Sequence, residues 1–277
     1  MSIKDSINIR GEIVDLSSPK VMGIINVTPD SFFAESRKMV NSEILMRAEK
    51  MLNDGATFLD VGGYSSRPGA EDISVEEEIV RVAEPIEQIA KRFPDAIISI
   101  DTFRSKVARI AIESGAAIVN DISAGHLDDE MLTSVAEMGV PYIAMHMRGT
   151  PQTMKNLTDY NDLVLDVMKY FSAVLERSNH LGIKDVIIDP GFGFAKTAEQ
   201  SFDLLNKLDH FHHLNQPLLV GVSRKSMIYR TLKLTAEESL NGTSVLNTVA
   251  LFKGAAILRV HDVKEAVEAV KLINQLN

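Results

Sequence analysis

The chain contains no cysteine, which removes disulfides, thiolate nucleophiles and thiolate metal sites in one step. A reducing compartment fits that absence. Nowhere do uncharged apolar residues run together long enough for a signal-sequence core or a membrane span, and residues 1–10 carry charges within a short alternating pattern. The expectation is therefore cytoplasmic, with no membrane partner. Positive charge is in deficit: 29 Lys and Arg against 38 Asp and Glu give a formal charge of −9. Nothing in that balance attracts nucleic acid in general, so a phosphate-bearing ligand needs a local cationic patch. No low-complexity tract and no Pro/Ser-rich linker divides the 277 residues. A composition of 45% hydrophobic and 24% charged residues supports a sizeable core, and one domain spanning 1–277 is expected.

Short β-branched apolar runs lie at residues 21–27, 58–63, 97–102, 118–122, 142–147, 186–191, 218–223 and 256–261. Amphipathic stretches alternate with them at 42–53, 75–92, 105–114, 129–138, 163–180, 198–208 and 237–253, and 263–276 closes the chain. Eight such units predict an α/β fold, a single (β/α)8 TIM barrel. An open doubly wound sheet is the competitor, but no Gly-rich dinucleotide fingerprint follows the first strand. Residues 7–16, with Gly11 between alternating apolar positions, predict a short N-terminal β-hairpin at the barrel bottom. Stretches 28–40, 64–74 and 148–160 read as irregular loops on one face, after the first, second and fifth strands.

In such a barrel the loops after the strands meet at the C-terminal face, so strand-end side chains converge although they are distant in sequence. The strand ends here carry Asn26, Asp60, Asp101, Asn120, Asp121, His146, Asp189, Ser223, Arg224, Lys225, Arg259 and His261. Any one of them can simply satisfy loop backbone or pair with a neighbour. As a set, carboxylates and amides facing Arg, Lys and His suit a ligand with a donor-rich ring and an anionic tail.

These residues sit inside a series of motifs. They are GIINVTPDSF at 23–32, DVGGYSSRPGA at 60–70, SIDTFR at 99–104, VNDISAG at 119–125, MHMRGTPQTM at 145–154, DPGFGFAKT at 189–197, SRKSMI at 223–228 and RVHD at 259–262. In this order, each at the end of a predicted strand, they resemble dihydropteroate synthase along nearly the whole chain. The resemblance implies a transferase of folate biosynthesis and a target of sulfonamides. Its substrates would be a pterin diphosphate and p-aminobenzoate, its cofactor Mg2+, and its assembly a homodimer, which the apolar late helices also favour.

The resemblance carries roles to individual positions. Asn26 would be a Mg2+ ligand, which is reasonable for an ion that keeps its waters and takes substrate phosphate; the alternative is a turn cap. Asp189 would accept from the N–H edge of the pterin, with Asp101, Asn120 and Lys225 as further contacts. Two buried carboxylates in one site themselves imply a ligand rich in donors. Arg259 and His261, with Arg67 on the second loop, would hold the leaving diphosphate; a lone Arg such as Arg67 also suits a plain surface. Ser66 stands where many members have Thr, and Lys225 and Ser226 would lie near both substrates, although Lys225 also fits a solvated loop. Met147 would pack on the pterin face or belong to the core. Asp60 and Asp121 fit an orienting role, and the cluster His210, His212 and His213 lies toward the outer side of the barrel.

The implied reaction displaces diphosphate from the pterin methylene carbon through a loose, carbocation-like state. It needs leaving-group stabilisation and positioning more than a strong base. One departure stands out. After TPDSF the family commonly continues with Asp and paired glycines, whereas this chain reads Phe33, Ala34, Glu35, Ser36 and Arg37; without glycine, positive-φ freedom is lost and the first loop is expected to close differently. A pterin-binding methyltransferase would need no diphosphate site, and a silent pterin-binding paralogue would have lost it; Asn26 and the Ser-Arg-Lys and Arg-Val-His segments argue against both.

Overall fold

Strict alternation along the strands sorts outward from inward side chains and builds two separate layers of core. The computed structural model describes residues 4–27, 34–65 and 72–276, with backbone only for 34–40. A hairpin of β1 (Ser6–Ile9) and β2 (Glu12–Asp15) precedes the barrel. The barrel strands are β3 (Lys20–Asn26), β4 (Phe58–Gly62), β5 (Ile97–Asp101), β6 (Ile118–Asp121), β7 (Tyr142–Met145), β8 (Val186–Asp189), β9 (Leu219–Val220) and β10 (Ile257–Val260). They run β8-β7-β6-β5-β4-β3-β10-β9, all parallel. A bridge between Ile188 and Leu218 joins β8 to β9, with Ile188 N donating to Pro217 O at 3.0 Å. The sheet thus comes round on itself as expected.

Outward residues such as Val61, Ile100, Val119, Ile188 and Leu258 pack under the helices in the main core. The helices are α1 (Ala34–Asn53), α2 (Val75–Arg92), α3 (Ser105–Glu113), α4 (Met131–Met138), α5 (Leu163–His180), α6 (Ala198–Asn206), α7 (Ser226–Leu232), α8 (Leu240–Phe252) and α9 (Val263–Ile273). Local chemistry fixes several of their ends. Ser74 caps α2 by accepting from Glu77 N, and Glu76–Glu78 and Lys91–Arg92 lie at the dipole ends that favour them. Thr197 and Gln200 form a reciprocal capping box on α6.

Inward residues at the strand starts, Met22, Phe58, Ile118, Ile143, Ile187, Leu219 and Ile257, form a second cluster with Ile7, Ile9 and Leu16 from the hairpin segment. The hairpin therefore stoppers the bottom of the barrel and leaves the other end for polar side chains.

The structure departs from the expected boundaries in three places. The second half of the stretch read as a first loop, 34–40, is helical backbone at the start of α1; Ala34 to Arg37 contain no helix breaker. Helix α7 fills a segment the apolar pattern left unassigned. Strand β9 keeps two residues of ladder, because beyond it the backbone N–H of His261 turns to the hydroxyl of Ser223, at 3.1 Å, instead of to a neighbouring strand.

Candidate active site

Above the apolar stopper the inward positions turn polar. Asp60 lies on β4 two residues above Phe58, Asn120 on β6 two above Ile118, Asp189 on β8 two above Ile187, and Arg259 on β10 two above Ile257. Each occupies the same face of its strand as the apolar residue below it. One residue joins them. Arg259 donates from Nε to Asp60 Oδ2 at 2.6 Å and from Nη2 to Asp101 Oδ2 at 2.6 Å. The same oxygen of Asp60 accepts from Asn120 Nδ2 at 3.0 Å. Asp60 is fully buried, and its other oxygen, Oδ1, has no hydrogen-bond partner among the described residues.

Lys225 approaches from the start of α7. Its Nζ donates to Phe192 O at 2.6 Å and stands 5.0 Å above the ring of Phe194. Asp189, also buried, accepts from Gly191 N at 2.8 Å and feels the charges of Lys225, Arg259 and Lys196.

Desolvation sets the electrostatics of this mouth. Burial raises Asp101 to about 7 against the pull of Arg259, with Asp60 adding to the rise. Burial raises Asp189 too, with Lys225 opposing. Burial lowers Lys225 to about 8, with Asp189 holding it up. Burial also works against the Arg259 charge, but Asp60 and Asp101 outweigh it and keep the guanidinium charged. The result is a cluster of carboxylates short of donors beside two cations.

Of the positions singled out in the sequence, Asp101, Asn120, Asp189, Lys225 and Arg259 come together here. His261 sits at the end of β10 with Nδ1 3.1 Å from Ser223 Oγ. Ser226 begins α7 and is partly buried. Met147 is 6% exposed and packs with Ile122, Met145, Met154 and Ala195. Ser66 and Arg67, like loop residues 28–33, lie outside the described residues. Asp121 faces away from the mouth. It accepts from Ser123 N, Ser123 Oγ, Gly125 N and Tyr142 Oη at 2.7, 2.8, 2.7 and 2.7 Å, which is the orienting role. Arg224 grips Asp262 through Nε and Nη2 at 2.9 and 2.8 Å, tying the β9 end to the β10 end. In the histidine cluster, His210 stands beside Asp209 and His212 packs against Gly254.

Asn26 ends β3 with its side chain exposed at the mouth. Among the described residues no group of three or more His, Asp or Glu is arranged to hold a metal. A single neutral amide oxygen fits only an ion that keeps most of its waters and shares the rest with a bound phosphate, which is the habit of Mg2+.

Two functional-looking groups escaped the sequence reading. Glu78 is completely buried on α2, where it accepts from Thr102 Oγ1 at 2.7 Å and Arg104 Nη1 at 2.9 Å. Lys196, 7% exposed, is hydrogen-bonded through Nζ to His146 Nδ1 at 2.8 Å and donates to Gly191 O and Phe194 O at 3.1 Å each. The available signal was a lysine closing a glycine-rich loop directly after the strand-end Asp189.

Residues 22–261 match the pterin binding enzyme family. The dihydropteroate synthase of Escherichia coli (strain K12) is 44% identical over 266 residues, covering 95% of this chain and 94% of that protein. Among solved structures, Yersinia pestis dihydropteroate synthase in a sulfonamide drug complex superposes with a TM-score of 0.91 at 39% identity, covering 98% of each chain. Xanthomonas albilineans dihydropteroate synthase with 4-aminobenzoic acid superposes with a TM-score of 0.90 at 34% identity, again over 98% of each chain.

Proposed function

Because the chain belongs to the pterin binding enzyme family, and within it to the dihydropteroate synthases, we propose that it joins 6-hydroxymethyl-7,8-dihydropterin diphosphate to p-aminobenzoate, releasing diphosphate and 7,8-dihydropteroate. The observation that carries this reading is the Arg259 junction. One guanidinium sits 2.6 Å from each of two carboxylates on neighbouring strands, in a mouth that also holds Asp189 and Lys225. A ring with several N–H donors satisfies the carboxylates, and an anionic leaving group satisfies Arg259.

In this reading Asp189, Asp101 and Asn120 orient the pterin, Met147 packs on its face, and Lys225 and Ser226 lie toward both substrates. Arg259 and His261, joined by Arg67 and Ser66, hold the diphosphate side and the incoming amine. Bond cleavage takes the C–O electron pair onto diphosphate. The amine nitrogen of p-aminobenzoate then forms the new C–N bond and loses its proton. The protein's part is to hold the carbon and nitrogen in line and to place positive charge where the leaving oxygen gains electrons. Mg2+, held by Asn26 when bound, supplies further neutralisation of that charge.

Sulfonamides would compete for the p-aminobenzoate position. The chain would act as one domain in the cytoplasm, a location supported by its lack of cysteine and by the absence, among the described residues, of a helix long and apolar enough to cross a membrane. A homodimer through the late helices is supported by exposed Leu232, Val245 and Phe252 on α7 and α8.

The test is diphosphate release by the purified protein with Mg2+ and the pterin diphosphate, with and without p-aminobenzoate. Release that requires p-aminobenzoate, with dihydropteroate as co-product, supports the reading. Pterin binding without release refutes it in favour of a silent paralogue.

A further inference from the structure

Lys196 is a buried lysine that the reaction does not use. A lysine ammonium has three donors and no acceptor, and here each proton has a place to go: His146 Nδ1, Gly191 O and Phe194 O. Burial first, and then Lys196 and Arg148, push His146 well below its usual pKa and keep it neutral.

The three bonds close a loop that is otherwise hard to hold. Residues 190–196 contain three positive φ angles, at Gly191 (71°), Gly193 (77°) and Ala195 (49°). At Gly191 the chain presses so closely on the preceding strand end that a Cβ would lie 2.1 Å from His146 O. From the other side Tyr160 Oη donates to Ala195 O at 2.9 Å.

Two substrate-facing groups depend on this loop. Phe192 O receives Lys225 Nζ at 2.6 Å, and Gly191 N donates to Asp189 Oδ1 at 2.8 Å. The carbonyls that Lys196 grips, those of Gly191 and Phe194, bracket Phe192.

We propose that Lys196 is a positioning residue of the pterin pocket, an internal ammonium clamp that sets Asp189 and Lys225 through loop 190–196 without touching substrate. This rests on the assignment of Asp189 and Lys225 to the pterin given above. Lys196 does two things for the site. It replaces the backbone partners a short irregular loop lacks, and it places a second positive charge behind Asp189, whose ionised form it favours. Burial pushes Lys196 well below the usual lysine pKa; of the charged groups that face it, Asp189 supports its ammonium, while Lys225 and Arg148 oppose it; neutral His146 completes the shell.

The experiment uses the full chain and two probes measured by titration calorimetry, 6-hydroxymethylpterin and inorganic diphosphate with Mg2+. In Lys196→Met the pterin Kd is expected to rise by about tenfold or more, as loss of hydrogen bonds to a charged donor implies, while the diphosphate Kd stays within about twofold. Apart from the limb that Asp101 sets near pH 7, the limb that Asp189 sets, read in the Asp101→Asn background, is expected to move to higher pH in Lys196→Met, since Asp189 has lost a neighbouring cation. An unchanged pterin Kd overturns the proposal, and so does a parallel loss of both ligands with no movement of the limb, which is what a merely structural role predicts. If Lys196→Met does not fold, Tyr160→Phe, which loosens the same loop at Ala195, is expected to weaken the pterin alone by about twofold to fivefold; no change there overturns the clamp. Failure of the wild-type protein to bind the pterin at all would instead overturn the assignment on which the clamp rests.

Discussion

Arg259 Nη2 donates to Asp101 Oδ2 at 2.6 Å, so a cation suited to an anionic leaving group and a carboxylate suited to a donor-rich ring are held by each other. The bond makes the two halves of the mouth one electrostatic unit, and its pH dependence has a definite sign. Asp101 is raised from 3.8 to about 7. Between those values the folded protein keeps a proton that the unfolded chain has released, so this group's contribution to stability falls as pH rises through that window. Pterin binding behaves oppositely, because the ionised carboxylate is the better acceptor. Affinity for 6-hydroxymethylpterin should therefore strengthen as pH rises through about 7, and Asp101→Asn should remove that limb. A limb that persists in Asp101→Asn would assign it to another group.

Lys225 supplies the other limb. Its ammonium is lowered from 10.5 to about 8 by burial, with Asp189 opposing. Between those values the folded protein has lost a proton the unfolded chain still binds, so the destabilisation caused by the buried charge fades as pH rises. Activity should instead fall above about pH 8 as the cation is lost. Lys225→Ala should lower kcat/KM by about a hundredfold with the fold intact by circular dichroism. Near-wild-type turnover in that variant would remove Lys225 from the site.

The barrel was legible in the sequence because a short apolar strand followed by an amphipathic stretch recurs eight times, and in β4, β6, β8 and β10 the inward residues change from apolar at the start to polar at the end. Phe58 and Asp60, or Ile187 and Asp189, carry the fold and the site in alternate positions of the same run. What escaped detection was set by contacts distant in sequence. Glu78 looks like any charge on an amphipathic helix until Thr102 and Arg104 are found against it. Lys196 looks solvated until His146, fifty residues away, is found hydrogen-bonded to it. The two-residue length of β9 depends on Ser223 and His261 meeting across strands, which no local periodicity records.

The stopper at the barrel bottom gives a prediction about the fold alone. Ile7 is 1% exposed and packs among the strand-start side chains, at the end of the barrel opposite the site. Ile7→Ala should cost about 2–5 kcal/mol through lost burial and the cavity left behind, read as a lower midpoint in urea. Its kcat/KM at 25 °C should match wild type. A variant of normal stability would mean that the hairpin does not close the core, and one of normal stability but altered kinetics would couple the two ends of the barrel.

Asp60 offers the sharpest test of the junction. Its Oδ2 accepts from Arg259 at 2.6 Å and from Asn120 at 3.0 Å, so a single buried oxygen holds one residue assigned to diphosphate and one assigned to pterin. Asp60→Asn keeps the shape but removes the charge. Its amide has one acceptor oxygen and two donors, and an NH2 turned toward either partner would meet another donor. Asp101 would lose a like-charged neighbour that helps raise its pKa, so the limb assigned to Asp101 should move to lower pH. Affinities for pterin and for diphosphate should fall together, by about tenfold each if one charged hydrogen bond is lost on either side. That pattern differs from the pterin-only loss expected of Lys196→Met, so calorimetry on the two variants separates a residue that joins both halves of the site from one that serves a single half. If Asp60→Asn weakened only one ligand, the shared oxygen would be a packing detail, and Arg259 and Asn120 would act independently.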